Sequence, residues 1–333
     1  MSTRPIVIVS ATVPEDLKAL ITKDLDIHFV PVGESIEEKV PAEVRAQAVG
    51  ILCTVRSQIK ESLLAGMPKL RVVSNFAVGY DNIDVPAATR ANVLVCNTPG
   101  VLDAAVADLT MGMVLCLARK LIAHDTFVRD GSWTKGAAPL TNDLAGKTLG
   151  LLGMGRIGRM VAKRAKAFDM DVIYCNRRQD AEAEKAGLAR YVDRDTLFKE
   201  SDYVSVHIPL SAETKGGIGE REFSMMKPSA YFLNTARGAV VDEEALIAAL
   251  KSNKIAGAGL DVMVKEPMDP SNPLASLPNV VLQPHVGSAT VETRRAMMAL
   301  AVDNLVNAVS GTQPKAMVNA DTWAAANQKA AHV

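Results

Sequence analysis

Short apolar runs alternate with stretches whose apolar residues recur at helical spacing. In the first hundred residues, Ile6 to Val9, Ile27 to Val32, Ile51 to Thr54, Arg71 to Asn75 and Val93 to Cys96 read as strands. Pro14 to Thr22 and Ile36 to Ala48 read as helices between them. Strands separated by helical segments predict parallel βαβ units. Asn97-Thr98-Pro99-Gly100 interrupts this pattern and is a candidate hinge. Ala104 to His124, rich in Ala, Leu and Met, then predicts one long packing helix. From Thr148 the alternation resumes, with strands at Thr148 to Leu152, Val172 to Tyr174, Tyr203 to Ile208, Tyr231 to Asn234, Gly257 to Leu260 and Val280 to Leu282. A last long helix is expected from near Thr290 to Val309, with Gly311 as its C-cap. The alanine-rich tail after Pro314 reads as loose chain or a short final helix.

One stretch organises the second half. A strand ending at Leu152 runs into Gly153-Met154-Gly155-Arg156-Ile157-Gly158, and a helix follows with Ile157, Val161, Ala165 and Phe168 on one face. Gly153 permits a tight turn, Gly155 lets backbone approach a pyrophosphate, and Gly158 lets the helix pack on the strand. The helix N-terminus offers free N–H groups and positive dipole to the same anion. In that strand–turn–helix context the motif points to a dinucleotide.

Composition narrows the class. The chain has 333 residues, enough for two domains, with 48% apolar and 22% charged residues. It carries 37 basic and 37 acidic residues, a balance that argues against nucleic acid or an anionic membrane as its main partner. No apolar run reaches the ~18 residues of a membrane span, and Ile6 to Val9 is too short for a signal-peptide core. Cys53, Cys96, Cys116 and Cys175 are widely spaced without a CxxC, which fits unpaired thiols in a reducing compartment. A cytoplasmic protein is the expectation, and no residue set suggests a metal site.

The later strands end in polar clusters: His207-Ile208-Pro209, Asn234 to Gly238, Asp261 to Glu266, and Pro284 to Ser288. A parallel sheet gathers such ends at one edge, so Arg237, Asp261, Glu266 and His285 should converge where the Gly153 turn holds its ligand. Arg237 suits a carboxylate, and His285 suits acid–base work at neutral pH. Glu266 would favour the imidazolium and orient the ring. Each residue taken singly has an ordinary structural role open to it. In the first half, Asn75 to Asn82 (NFAVGYDN) follows a strand, as a ligand loop or as a plain turn. Trp133 and Trp323 are open as core residues or as pocket residues.

Together the stretches NFAVGYDNID (75–84), Gly153 to Gly158, NTARGAVVDEEAL (234–246), GAGLDVMVKEP (257–267) and PHVGSAT (284–290) resemble the D-isomer-specific 2-hydroxyacid dehydrogenases, over roughly residues 45 to 310. The resemblance implies two Rossmann-like, doubly wound parallel-sheet α/β domains. One is a flavodoxin-like substrate domain, discontinuous at 1–99 and 287–333, and the other an NAD(P)-binding domain at 100–286. It implies Arg237 on the substrate carboxylate, His285 as acid–base and Glu266 as its partner, with the backbone of Val78 and Gly79, and Ser288, also at the substrate. Gly153, Gly155, Arg156, Ile157, Gly158, Asn176, Arg177, Arg178, Pro209, Thr214, Thr235, Asp261 and Gly287 fall at cofactor positions, Asp261 at the nicotinamide amide. Domain closure hinged near Pro99 and Gly287, and a homodimer built on the nucleotide domains, are further implications.

Within that family the nearest likeness is to NADPH-dependent glyoxylate/hydroxypyruvate reductases. The second Rossmann strand ends in Asn176-Arg177-Arg178, where an NAD-specific protein places Asp or Glu, so NADP(H) is expected over NAD(H). The chain also ends shortly after the last helix, without the extra domain of longer phosphoglycerate dehydrogenases. Arylpyruvate and 2-ketogluconate reductases share the motifs, and dinucleotide-sensing corepressors retain the Arg, Glu and His. The Asn-Arg-Arg site and the lack of long flanking tails stand against the corepressors.

Overall fold

The computed structural model describes residues 4–328. The chain divides into two compact units, the first up to Leu102 and again from Thr290, the second Asp103–Ala289. The expected domain ends at 1–3 and 329–333 lie outside the described residues.

The first unit holds strands β1 (Ile6–Ser10), β2 (Asp26–Phe29), β3 (Ala48–Cys53), β4 (Val72–Asn75) and β5 (Leu94–Cys96), in the order β2-β1-β3-β4-β5. All neighbours pair in parallel, giving the flavodoxin-like order. Alternate residues serve opposite faces: Val7 and Val9 join one core with Leu305 and Ala301, and Ile8 joins the other with Ile51 and Leu63. A strand covered on both faces must be apolar throughout, which is why β1 and β3 read as unbroken runs. The helix Val291–Ser310 covers one face and is fixed there by the Ser74 hydroxyl, which donates to the Ala301 carbonyl at 2.7 Å.

The second unit holds β6 (Thr148–Leu152), β7 (Asp171–Cys175), β8 (Arg190–Tyr191), β9 (Tyr203–Val206), β10 (Tyr231–Asn234), β11 (Gly257–Leu260) and β12 (Val280–Leu282). Their order β12-β11-β10-β9-β6-β7-β8 places β6 at the switch point of a Rossmann sheet, all parallel. Leu149 and Leu151 face one core; Phe198 and Phe232 are fully buried in the other. Each such side chain contributes about 1.5–3 kcal/mol by leaving water.

Several local expectations are corrected. The single helix expected at 36–48 is two, Ile36–Lys39 and Ala42–Gln47, because Pro41 cannot continue a helix and holds Val40 extended. The helix expected at 104–124 stops at Ala118 and restarts at Leu121, with Lys120 left-handed at φ 47°. No Gly or Pro marks that break; the first segment is buried in the core and the second has no buried residue. β2 ends at Phe29, ahead of Pro31, and β9 at Val206, ahead of Pro209. The two-residue strand β8 carries too short a pattern to be read. Phe168 lies past the helix Arg156–Lys166 and is 39% exposed rather than on its packing face.

The last long helix runs Val291–Ser310, with Thr290 accepting from the Thr293 N–H and Gly311 at φ 82°. A short helix, Trp323–Gln328, follows, and Trp323 packs against the core of the first unit. Trp133 is 66% exposed. Cys53 and Cys96 are buried free thiols, and Cys116 and Cys175 are half-buried ones. Among the described residues no helix is long and apolar enough to cross a membrane, and no cluster of His, Cys, Asp and Glu could hold a metal.

Candidate active site

At the carboxyl end of β6 the glycine turn has the geometry its spacing implies. Gly153 sits at φ 108°, which L side chains rarely adopt, and its N–H donates to the Cys175 carbonyl at 3.0 Å. A Cβ on Gly158 would come within 2.3 Å of the Gly153 carbonyl oxygen, so only glycine lets the helix pack this close. A Cβ on Gly155 would meet nothing within 4 Å, leaving open space at the start of the helix Arg156–Lys166. That opening, beside helical N–H groups with no partner of their own, is the cradle a pyrophosphate needs. Ile157 packs against the core, while Arg156 is exposed and lies 3.5 Å from the Asp103 carboxylate.

Asn176, at the end of β7, has a local task as well. Its side-chain oxygen accepts from the Met154 N–H at 2.7 Å and so ties the glycine turn to the second strand. Arg177 and Arg178 follow it, exposed, with no hydrogen bond or ion pair to any described residue.

The ends of β9 to β12 bring the other polar residues forward. Asn234 is 1% exposed; its amide donates to the Arg237 carbonyl at 2.9 Å and its oxygen accepts from the Ala236 N–H at 3.0 Å. It shapes the turn that carries Arg237. Thr235 meets the Thr110 hydroxyl at 3.2 Å. Thr214 donates to the Pro209 carbonyl at 2.7 Å and accepts from the Ser211 N–H at 2.8 Å, closing the loop after β9.

Glu266 and His285 meet directly. Glu266 Oε2 lies 2.6 Å from His285 Nδ1, and Oε1 accepts from the Met263 N–H at 3.0 Å. Burial favours the neutral Glu266 acid, but the bond and charge of His285, the Met263 N–H and the Arg237 charge outweigh it and hold the carboxyl below its usual range. With Nδ1 facing the carboxylate, Nε2 is the ring nitrogen left to exchange a proton.

His285 itself has φ 56°, a left-handed backbone unusual outside glycine. Asp261, 2% exposed, holds it there. Its carbonyl accepts from the His285 N–H at 2.8 Å, and its carboxylate oxygens accept from the N–H groups of Val286 at 2.7 Å and Gly287 at 2.8 Å. Burial still raises the Asp261 carboxyl above its usual range against those two bonds. Ser288 lies in the same half-buried turn.

A second histidine at this edge, His207, behaves differently. Burial pushes it down to about 4, and its Nε2 lies 2.9 Å from the Ser205 hydroxyl. It is neutral at neutral pH. A cleft of about 570 Å³ lined by Thr148, Lys166, Asp171, Glu184 and Arg190 opens at the opposite end of the strands and holds none of these groups.

In the first unit, the loop after β4 carries Val78 and Gly79. Neither N–H donates to any described residue, whereas the Val78 carbonyl accepts from the Asn97 amide at 2.8 Å and the Gly79 carbonyl from the Asn75 amide at 2.9 Å.

Sequence patterns picked out the stretches that hold Asn234, Asn75, Asn97 and His207 but did not reveal the bonds these side chains make. An Asn at a strand end shortly before a glycine turn is the available signal, since its amide can satisfy turn backbone.

Comparison with known proteins places this geometry. Residues 111–287 match the family model described as D-isomer specific 2-hydroxyacid dehydrogenase, NAD binding domain. Over 324 residues the chain is 44% identical to a glyoxylate reductase of Thermococcus litoralis, covering 96% of this chain and 98% of that protein. Over 319 residues it is 46% identical to glyoxylate/hydroxypyruvate reductase B of Klebsiella pneumoniae, covering 95% and 98%. Among solved structures it is similar to an NADPH-dependent glyoxylate/hydroxypyruvate reductase of Sinorhizobium meliloti in complex with NADP and malonate. That match has a TM-score of 0.87 and 34% identity, and covers 95% and 97%. The chain belongs to the D-isomer specific 2-hydroxyacid dehydrogenases and carries the family's dinucleotide-binding domain in its second unit.

Proposed function

We propose that the protein reduces glyoxylate to glycolate and hydroxypyruvate to D-glycerate, with NADPH as its cofactor. The observation that carries this reading is the 2.6 Å contact of Glu266 with His285, at one sheet edge with Arg237. The names of the relatives support the substrate class. The cofactor, when bound, supplies the hydride. Gly153, Gly155 and Gly158 would admit its pyrophosphate, with Arg156 and Ile157 opening the helix. Asn176, Arg177 and Arg178 would meet its 2′-phosphate, and Pro209, Thr214, Thr235 and Gly287 would line its path. Asp261 would meet the nicotinamide amide through lone pairs its backbone bonds leave over.

The substrate steps fall to side chains and backbone. In the second unit Arg237 offers a fork for a carboxylate; in the first, the N–H groups of Val78 and Gly79, which donate to no described residue, are donors for a carboxylate as well. His285 Nε2 gives a proton to the carbonyl oxygen as it becomes an alcohol, with Ser288 in the adjoining turn. Glu266 stabilises the imidazolium before transfer and keeps Nε2 forward.

Cytoplasmic residence and a homodimer belong to the same proposal. Leu121, Ile122, Val128, Trp133 and Leu140 are 49 to 94% exposed on the segment after Ala118, apolar side chains that a second copy would cover. Light scattering of the purified protein tests the dimer.

Turnover of glyoxylate, hydroxypyruvate, phenylpyruvate and 2-ketogluconate with NADPH tests the function. The first two should give the higher kcat/KM; a clear preference for either of the others, or no turnover at all, would overturn the reading.

Glu266→Gln tests the pairing. Because the Glu266 carboxyl lies below its usual range, the pairing persists above the ordinary Glu value and is lost only as pH falls through the lower folded one. The carboxylate is therefore charged across neutral pH. Removing its charge should move the alkaline limb of the reduction pH–rate profile to lower pH. An unmoved limb in Glu266→Gln would refute the pairing.

A further inference from the structure

We propose that Asn75 and Asn97 are positioning residues. They turn the peptide planes of the loop after β4 so that the N–H groups of Val78, Gly79 and Tyr80 form one outward-facing donor array for the substrate carboxylate. This rests on the carboxylate-binding role given above to Val78 and Gly79.

The inference comes from the carbonyls. Three in succession are tied to the body of the first unit. The Ala77 carbonyl accepts from the Thr98 N–H at 2.8 Å, that of Val78 from the Asn97 amide at 2.8 Å, and that of Gly79 from the Asn75 amide at 2.9 Å. In a trans peptide the C=O and the following N–H point in opposite directions. Three carbonyls held inward therefore direct three N–H groups outward, those of Val78, Gly79 and Tyr80. None of the three donates to any described residue. Successive backbone N–H groups arranged this way make an anion-binding concavity.

The residues that set the array are themselves fixed. Asn75 is 0% exposed, Asn82 3% and Asn97 9%. Asn75 and Asn82 pair amide to amide, at 3.2 and 3.5 Å. Asn82 also donates to the Ser57 carbonyl at 2.9 Å, and the Cys53 thiol donates to the Asn75 oxygen at 3.5 Å. A primary amide can donate to the loop while its oxygen accepts from the network, as at Asn75. A carboxylate would present oxygen to the Val78 or Gly79 carbonyl and repel it. The array is thus set before substrate arrives and costs little ordering when it binds.

The test uses Asn97→Ala and the isosteric Asn97→Asp, at the least buried of the three asparagines, with Asn75→Ala as a deeper variant. KM for glyoxylate and Ki for malonate should rise together by about ten- to hundredfold, the effect of mispositioning one hydrogen bond to a charged group. Asn97→Asp should exceed Asn97→Ala. The kcat should stay within a few-fold of wild type and NADPH affinity, from fluorescence titration, should not change. A merely structural role would lower the melting temperature and the active fraction while leaving KM and Ki in place, and that result would overturn the inference. Should wild type turn over no 2-oxo acid, the functional reading fails first. Malonate binding by calorimetry then decides the array alone: equal affinity in wild type and Asn97→Asp sinks it.

Discussion

His285→Ala should lower kcat by about 10²- to 10⁴-fold, the usual contribution of a positioned general acid, and leave NADPH binding unchanged. The size follows from how little else could replace the ring. His285 projects from a left-handed turn, and such a conformation at a non-glycine residue costs on the order of 1–3 kcal/mol. Three hydrogen bonds that Asp261 accepts from the N–H groups of residues 285–287 offset that cost and fix where the ring starts. Glu266 then fixes how it faces, at 2.6 Å from Nδ1. The neighbouring histidine cannot take over, because His207 is held neutral by burial and bonded to Ser205. Single-turnover reduction followed by NADPH absorbance separates the proton-coupled step from product release. A kcat within threefold of wild type would remove His285 from the acid–base role. Arg237→Ala offers the contrast within one site: its loss should act mainly on KM.

Replacing Arg177 and Arg178 together by Ala should raise KM for NADPH by one to two decades and leave that for NADH nearly unchanged. Charge-assisted hydrogen bonds contribute roughly 1.5–3 kcal/mol each, and 1.4 kcal/mol is a tenfold effect. Both guanidinium groups stand exposed at the end of β7, without a carboxylate partner among the described residues that would have to be displaced. Asn176 occupies the place, 23 residues past Gly153, where an acidic side chain would bind ribose hydroxyls and repel a 2′-phosphate. Its amide oxygen instead holds the Met154 N–H at 2.7 Å. Asn176→Asp keeps an acceptor for that N–H and adds the repelling charge, so it should shift preference toward NADH with the glycine turn intact. Wild-type protein with a higher kcat/KM for NADH than for NADPH would sink the argument from this strand end.

Much of the fold was legible because its causes are local. Strands covered on both faces are mostly apolar rather than alternating, and β1, β3, β6, β9 and β10 announce themselves that way. Gly153 and Gly158 are legible because backbone at φ 108° and a 2.3 Å approach tolerate no other residue. Arg237, Glu266 and His285 could be nominated from parallel topology, which sends every strand's carboxyl end to one edge.

What the tertiary structure decided lies where distant segments compete or cooperate. The break at Lys120 has no local breaker, and the strand β8 is too short to carry a period; each depends on what it packs against. Nothing in the spacing of Asp261 and His285 says that a carboxylate will hold a left-handed turn 24 residues later by its neighbours' N–H groups. Nor does Asn97 reveal that it will grip the Val78 carbonyl, 19 residues before it. Side-chain amides satisfying backbone across such gaps leave no periodic trace, because one hydrogen bond constrains one residue type at one place. Periodic burial is written along the chain; polar satisfaction is settled only when the chain has folded.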